Sequence, residues 1–120
     1  MVYNYAELSS DKLEYVPVAD LEELPNGERI FVDIDEYSIV VFNIAGKFFA
    51  IADICSHDDG PVGDGKLESE FEISCPRHGG RFDIRTGEAT ALPAIIDIPA
   101  YPVRVKDGQI EVGVPLEPID

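Results

Sequence analysis

Tryptophan is absent from this 120-residue sequence, and cysteine and histidine are scarce, with two of each. No apolar run approaches the ~20 residues that a helix needs to cross a bilayer. The N-terminal residues Met1 to Tyr5 carry neither a basic segment nor an apolar stretch, so we expect no export signal. These absences predict a cytoplasmic protein without a membrane span.

Basic residues are also few, since nine Lys and Arg stand against 24 Asp and Glu, giving a formal net charge of −15. Repulsion from phosphates and anionic lipids argues against nucleic acids and membrane surfaces as partners. A protein partner with a basic docking face fits better, because opposite charge speeds encounter. Acidity that serves solubility alone is the alternative.

The length predicts one domain, residues 1–120, and the strand signals predict antiparallel β structure. Asp20, with Glu23 three residues later, predicts the N-cap of a single helical turn. Asp107-Gly108 predicts a tight hairpin, because both turn positions need a positive φ. Together these signals favour an all-β sandwich or barrel. Strands are expected at residues 16–18, 29–34, 37–44, 47–52, 71–73, 82–84, 103–106 and 109–112.

The segment from about residue 53 to 92 differs from the rest of the chain. It is rich in Gly, Asp and Pro, and it holds every Cys and His. We expect a smaller metal-binding subdomain here, inserted into a basal β domain. Residues 1–12 are expected to form an extension that packs weakly or stays mobile, in which Tyr3 and Tyr5 are able to dock.

The central pattern is Cys55-Ser56-His57, then seventeen residues, then Cys75-Pro76-Arg77-His78. Two thiolates and two imidazoles admit a zinc site, a [2Fe–2S] cluster with two thiolates on one iron and two imidazoles on the other, or coincidence. Coincidence would have to place every Cys and His in two pairs. Zinc fits less well, because common zinc fingers pair Cys with Cys and His with His.

The sequence resembles the Rieske ferredoxins, whose motif is Cys-x-His followed by a spacer of about this length and Cys-x-x-His. The resemblance runs from about Glu14 to Val114. It includes Cys-Pro-x-His-Gly at residues 75–79, Arg-Phe-Asp at 81–83, Thr-Gly at 86–87 and Tyr-Pro-Val at 101–103.

This resemblance implies one Rieske-type [2Fe–2S] cluster. Cys55 and Cys75 would bind its inner iron, and His57 and His78 would bind the outer iron through Nδ1. A proline-containing third loop covers the cluster in this family, and residues 91–94 are its expected counterpart.

The resemblance also predicts a low reduction potential. Respiratory relatives have a disulfide between the ligand loops, at positions that correspond here to Gly60 (or a neighbour) and Arg77. They also place hydroxyl donors against the cluster sulfurs, where this chain has Gly80 and Phe82. Three nearby arginines favour reduction, while two acidic neighbours of His57 oppose it. The arginines are residues 77, 81 and 85, and the acidic neighbours are Asp58 and Asp59. The alternative for the arginines is ordinary surface pairing with Asp83 and Glu88.

Electron transfer is the function that the resemblance implies. The chain lacks the additional His residues that an oxygenase needs for a mononuclear iron, and it has no G-x-G-x-x-G nucleotide motif. We therefore expect a monomeric carrier, not an enzyme, that shuttles electrons from a flavin-dependent reductase to a terminal oxygenase of aromatic-ring hydroxylation. The alternatives are a non-redox zinc module and a Rieske carrier that serves nitrite reduction or iron–sulfur assembly.

Overall fold

The computed structural model describes residues 4–5, 8, 10–55, 60–77, 79–94 and 96–116. Within these ranges the regular structure includes ten strands and the short 3₁₀ turns Ser10–Lys12 and Leu21–Glu23, which confirms the all-β prediction. In these ranges no helix has the length and hydropathy to cross a membrane. The strands are β1 (Leu13–Asp20), β2 (Arg29–Ile34), β3 (Tyr37–Ile44), β4 (Lys47–Ala52), β5 (Glu72–Ser74), β6 (Arg81–Asp83), β7 (Ala89–Ala91), β8 (Ala100–Tyr101), β9 (Val103–Lys106) and β10 (Gln109–Pro115).

The strands form three antiparallel sheets. One sheet has the order β1-β10-β9, the second β2-β3-β4-β8, and the third β5-β6-β7. The third sheet is built entirely from the segment that carries the cysteines, and the other two sheets come from the sequence on either side of it.

Strand β3 supplies two hydrophobic cores. Ile39 and Val41 belong to the core that the first two sheets share, whereas Val40 and Phe42 belong to a second core that includes Ile73 of β5. Because successive side chains of a strand point to opposite faces, a strand with a core on each side becomes continuously apolar. This explains why residues 39–42 show no polar alternation.

Part of the N-terminal segment packs on the first core. Tyr5 is 7% exposed, and its ring centroid lies 5.1 Å from that of Tyr101. Tyr5 therefore docks, as its sequence position allowed, while Tyr3 lies outside the described residues.

The turns form where the sequence predicts them. Asp107 and Gly108 have φ values of 53° and 78°, so both positions of the β9–β10 hairpin are left-handed. The backbone N–H of Asp20 donates to Glu23 Oε1 over 2.8 Å, which caps the 3₁₀ turn.

Several strand boundaries differ from the sequence prediction. Strands β5 and β6 each lie one residue away from their predicted positions. Strand β1 is longer than the predicted 16–18 segment, since it begins at Leu13 and ends at Asp20. Strands β7 and β8 were not predicted. They have three and two residues, which is too short to show a periodic pattern.

Candidate metal centre

Both cysteines lie in the second core. Cys55 follows β4 and Cys75 directly follows β5, and their exposed fractions are 0% and 2%. The two residues share this core with Val62 and Phe82, and no disulfide joins them. Two buried thiols in one apolar environment match the inner-iron half of the predicted donor set, because thiolates are the ligands that iron–sulfur clusters use.

Each cysteine begins a loop that closes in the same way. The N–H of Cys55 donates to the carbonyl of Gly60, and the N–H of Cys75 donates to the carbonyl of Gly80, both over 2.6 Å. The N–H of Gly79 also donates to the carbonyl of Cys75, over 3.0 Å. We call residues 55–60 the first ligand loop and residues 75–80 the second ligand loop. Each spans five residues beyond its cysteine and contains one of the two histidines.

The two histidines themselves, His57 and His78, lie outside the described residues, as do Asp58 and Asp59. Among the residues that the structure does describe, no three His, Cys, Asp or Glu side chains are grouped to hold a metal ion. The imidazole half of the ligand set therefore stays a prediction.

Two polar side chains, Arg29 on β2 and Asp53 directly after β4, hold the chain that leaves the first ligand loop. Asp53 Oδ1 accepts hydrogen bonds from the N–H groups of Val62 and Gly63, over 3.1 and 2.6 Å. Arg29 Nη1 donates to the carbonyls of Gly63 and Gly65, over 2.6 and 2.7 Å. Sequence reasoning missed both side chains. Asp53 precedes Cys55 closely enough to have been suspected, but Arg29 lies far away in the sequence and gives no local signal.

The proline-containing turn at residues 91–94 packs against the second ligand loop. The N–H of Ala94 donates to the carbonyl of Ala91 over 3.1 Å, and the Leu92–Pro93 peptide bond is cis. A β-carbon built on Gly80 would stand 2.9 Å from the β-carbon of Ala94. The predicted third loop therefore lies beside the end of the second ligand loop.

Arg81 and Arg85, which lie near His78 in the sequence, have different carboxylate partners. Arg85 binds both carboxylate oxygens of Asp83, with Nε and Nη2 at 3.0 and 2.8 Å, so this predicted pair is confirmed. Arg81 pairs with Glu68 instead, with 3.8 Å between Nη2 and Oε1. The other predicted partner, Glu88, forms no arginine pair among the residues that the structure describes.

The Asp83–Arg85 pair also stabilises the charged form of Asp83. Burial by itself raises the pKa of Asp83, but hydrogen bonds from Arg85 and its charge outweigh burial and lower the pKa of Asp83 below its ordinary value. Asp83, like an ordinary aspartate, is a carboxylate at neutral pH, and its charge offsets that of Arg85 at 2.8 Å. Arg85 contributes less positive potential to its surroundings than its position in the sequence suggests.

Comparison with known proteins agrees with this arrangement. Residues 14–102 match the family model described as the Rieske [2Fe-2S] domain. The 3-phenylpropionate/cinnamic acid dioxygenase ferredoxin subunit of Escherichia coli strain K12 is 39% identical over 99 residues, which cover 82% of this chain and 90% of that protein.

Solved structures give the same result. The ferredoxin of carbazole 1,9a-dioxygenase from Nocardioides aromaticivorans IC177 is 38% identical with a TM-score of 0.76, covering 82% of this chain and 95% of its own. A chain in the complex of reduced oxygenase and oxidized ferredoxin in carbazole 1,9a-dioxygenase is 26% identical with a TM-score of 0.75, covering 82% of this chain and 91% of its own. The family match begins in β1 and ends at Pro102, so it contains both ligand loops.

Proposed function

Because the chain belongs to the Rieske [2Fe-2S] domain family, we propose that it is an electron carrier that delivers single electrons to a terminal oxygenase. The observation that carries this proposal is the pair of buried cysteines, each at the start of a loop closed by the same backbone hydrogen bond. The relatives named above are ferredoxins of dioxygenase systems, and one of the matched chains belongs to a complex of oxygenase and ferredoxin.

We assign the ligands by position in the two loops. Cys55 and Cys75 would hold the inner iron as thiolates, and His57 and His78 would hold the outer iron as neutral imidazoles. A Rieske cluster bound in this way takes up and releases one electron at a time. The protein would exclude water from the two cysteine ligands, since both are buried with Val62 and Phe82. We place the metal-binding subdomain at about residues 53–92.

The side chains beside the cysteines favour a low potential. Hydrogen-bond donors aimed at the cluster sulfurs stabilise the reduced, more negative state. Phe82 is fully buried in the core that contains both cysteines, and it has no hydroxyl group. Gly80, at the end of the second ligand loop, packs against Ala94 and has no side chain. These two positions therefore supply no side-chain donor.

Partner recognition follows from charge and from the nature of the relatives. A net charge of −15 favours a redox partner with a basic face and disfavours nucleic acid and anionic membranes. We propose a flavin-dependent reductase as donor and the oxygenase of an aromatic-ring-hydroxylating system as acceptor, with the carrier acting as a monomer in the cytoplasm. Nitrite reduction and iron–sulfur assembly are the other acceptor systems to test.

The first experiment determines the metal content of the purified protein. We expect a red-brown protein with about two irons and two inorganic sulfides per chain. Cys75→Ser should abolish the colour, whereas Ser74→Ala, the control at the neighbouring position, should keep it. His57→Ala and His78→Ala should each lose the cluster as well. A colourless wild-type protein that binds one zinc would refute the carrier function.

The second experiment measures electron flow. The purified protein is mixed with a flavin-dependent reductase and a ring-hydroxylating oxygenase, and hydroxylated product is measured with and without the carrier. Product formation that requires the wild-type chain and disappears with Cys75→Ser would support the proposal. A coloured protein that supports no oxygenase, but does support nitrite reduction or cluster assembly, would keep the cluster and replace the acceptor.

A further inference from the structure

Arg77 connects the second ligand loop to the end of the first. It lies two residues after Cys75, and its Nη1 donates a hydrogen bond to the carbonyl of Pro61 over 2.7 Å. Pro61 directly follows Gly60, whose carbonyl closes the first loop onto Cys55. The hydrogen bonds that close each loop are internal to that loop. The bond from Arg77 to Pro61 therefore joins two segments that their own closing bonds do not connect.

Gly60 leaves the space that the guanidinium of Arg77 occupies. A β-carbon built on Gly60 would stand 2.7 Å from Cζ, 2.8 Å from Nη2 and 3.0 Å from Nε of Arg77. The φ of Gly60 is outside the left-handed region, so the backbone conformation there does not require glycine. The missing side chain instead allows the flat guanidinium to lie directly on the Gly60 backbone.

We propose that Arg77 is a positioning residue whose guanidinium, seated on Gly60 and hydrogen-bonded to Pro61, holds the two ligand loops together and slows loss of the cluster. A guanidinium suits this role because it is planar, permanently charged and rigid in its donor geometry. The contact contains no thiol, so the reduction state of the surroundings does not affect it. This inference rests on the proposed function, because it requires the cluster to be bound by these two loops.

The energetic argument concerns how often the loops separate. Release of a cluster held by both loops requires them to move apart, and each contact between them lowers the population of the separated state. A hydrogen bond from a charged donor contributes more than a neutral one, and the solvent exposure of this bond reduces that contribution. We therefore expect removal of the contact to speed cluster loss by about fivefold to tenfold.

The test uses a double-mutant cycle on the cluster-containing protein. The variants are Arg77→Gln, Gly60→Ala and the combination of both, and the measurement is the rate at which visible absorbance disappears in the presence of an iron chelator. Each single variant should accelerate the loss about fivefold to tenfold. The combined variant should lose the cluster no faster than the single variants, because both changes break the same contact.

Gly60→Ala separates the seating of the guanidinium from its charge, because it displaces Arg77 without removing a positive charge. Lys47→Gln, which removes one charge at the far end of the β3–β4 hairpin, is the matched control and should leave the loss rate unchanged. The visible circular dichroism of the oxidised protein should change in the same way in Gly60→Ala and Arg77→Gln. The potential should fall in Arg77→Gln and fall less in Gly60→Ala, which retains the charge.

Two results would overturn the inference while leaving the carrier function intact. One is a coloured Gly60→Ala protein that loses its cluster at the wild-type rate. The other is a combined variant whose acceleration equals the product of the two single effects. A colourless wild-type protein would be a different failure, because it would refute the proposed function first and this inference with it.

Discussion

Gly65 lies directly against the backbone of Ser74, so close that a β-carbon built on Gly65 would stand 1.8 Å from the Ser74 carbonyl oxygen. The N–H of Gly65 donates to the carbonyl of Val62, and the N–H of Ser74 donates to the carbonyl of Lys66, both over 2.9 Å. Ser74 immediately precedes Cys75. The chain that leaves the first ligand loop is therefore packed onto the strand end from which the second ligand loop begins.

Gly65→Ala should consequently destabilise the protein and loosen the second loop. The added methyl group meets backbone atoms, which cannot rotate away as a side chain can, and overpacking of this kind costs about 1–3 kcal/mol. We expect a lower denaturant midpoint and faster loss of visible absorbance, both measured on the cluster-containing protein.

Gly46→Ala is the control for that substitution. Gly46 has a φ of 86° and nothing within 4 Å of a β-carbon, so alanine there is strained by its backbone alone. It should cost about 1–2 kcal/mol of stability and leave the rate of cluster loss unchanged, because it lies in the β3–β4 turn. If Gly65→Ala, like Gly46→Ala, left the rate of cluster loss unchanged, the packing argument would be wrong.

The fold was predictable where local chemistry determines it. Asp107-Gly108 specifies a left-handed turn by residue type, and the alternation of residues 29–34 specifies a strand with one buried face. The strand at residues 37–44 was predicted as well. The sequence does not indicate that residues 39–42 have a core on both faces, since a continuous apolar run fits other buried segments equally well. The two residues of β8 are a strand only because they pair with Ala50 and Ile51.

The candidate site divides in the same way. The spacing of Cys55 and Cys75 relative to the histidines carries the prediction of the cluster, because ligand pairs in short loops are visible in sequence. The contacts that hold the two ligand loops in place are not visible in the sequence. Arg29 reaches Gly63 across 34 residues of sequence, and Gly60 accommodates Arg77 from another loop. Such pairs are created by tertiary packing, so residue type alone does not indicate them.

The redox potential provides a prediction about the core around the cysteines. We expect a midpoint near the lower end of the roughly −150 to +300 mV Rieske range, because fully buried Phe82 offers no hydroxyl donor. Phe82→Tyr adds a hydroxyl group in that core and should raise the potential in an EPR-monitored titration. Phe48→Tyr adds the same group in the first core and should not change it. A wild-type midpoint in the upper half of the range would contradict the argument.

The stability of the basal sheets should decline in alkali because of Tyr101. Burial, followed by the nearby Tyr5 and Tyr37, raises the pKa of Tyr101 above its ordinary value of 10.0. A phenol with a raised folded-state pKa keeps its proton in the fold while the unfolded chain releases it. Its contribution to stability is therefore complete below about pH 10 and is lost as the pH rises above that value.

Denaturant titrations at a series of pH values, followed by far-ultraviolet circular dichroism, measure this effect. Tyr101→Phe should reduce the loss of stability above about pH 10. Tyr15→Phe removes a hydroxyl group from a half-buried ring on β1 and serves as the control. If the free energy of unfolding fell equally steeply with pH in the wild type and in Tyr101→Phe, other groups would cause the decline.

Leu92 is the exposed apolar residue placed best to contact a redox partner. It is 77% exposed in the turn whose Ala94 packs on Gly80, and the Gly80 carbonyl accepts the hydrogen bond of Cys75. A partner that approaches the ligand loops would cover this side chain, and burial of apolar anchors stabilises such complexes. Leu92→Lys should therefore slow electron delivery to the oxygenase by about tenfold, with the reduction potential and the rate of cluster loss unchanged.

Val105→Lys makes the same change of charge at an apolar residue on β9 that is 45% exposed. It should leave delivery near the wild-type rate, because β9 belongs to a basal sheet; equal slowing by both variants in stopped-flow measurements would mean that charge, and not contact at the turn, governs the reaction.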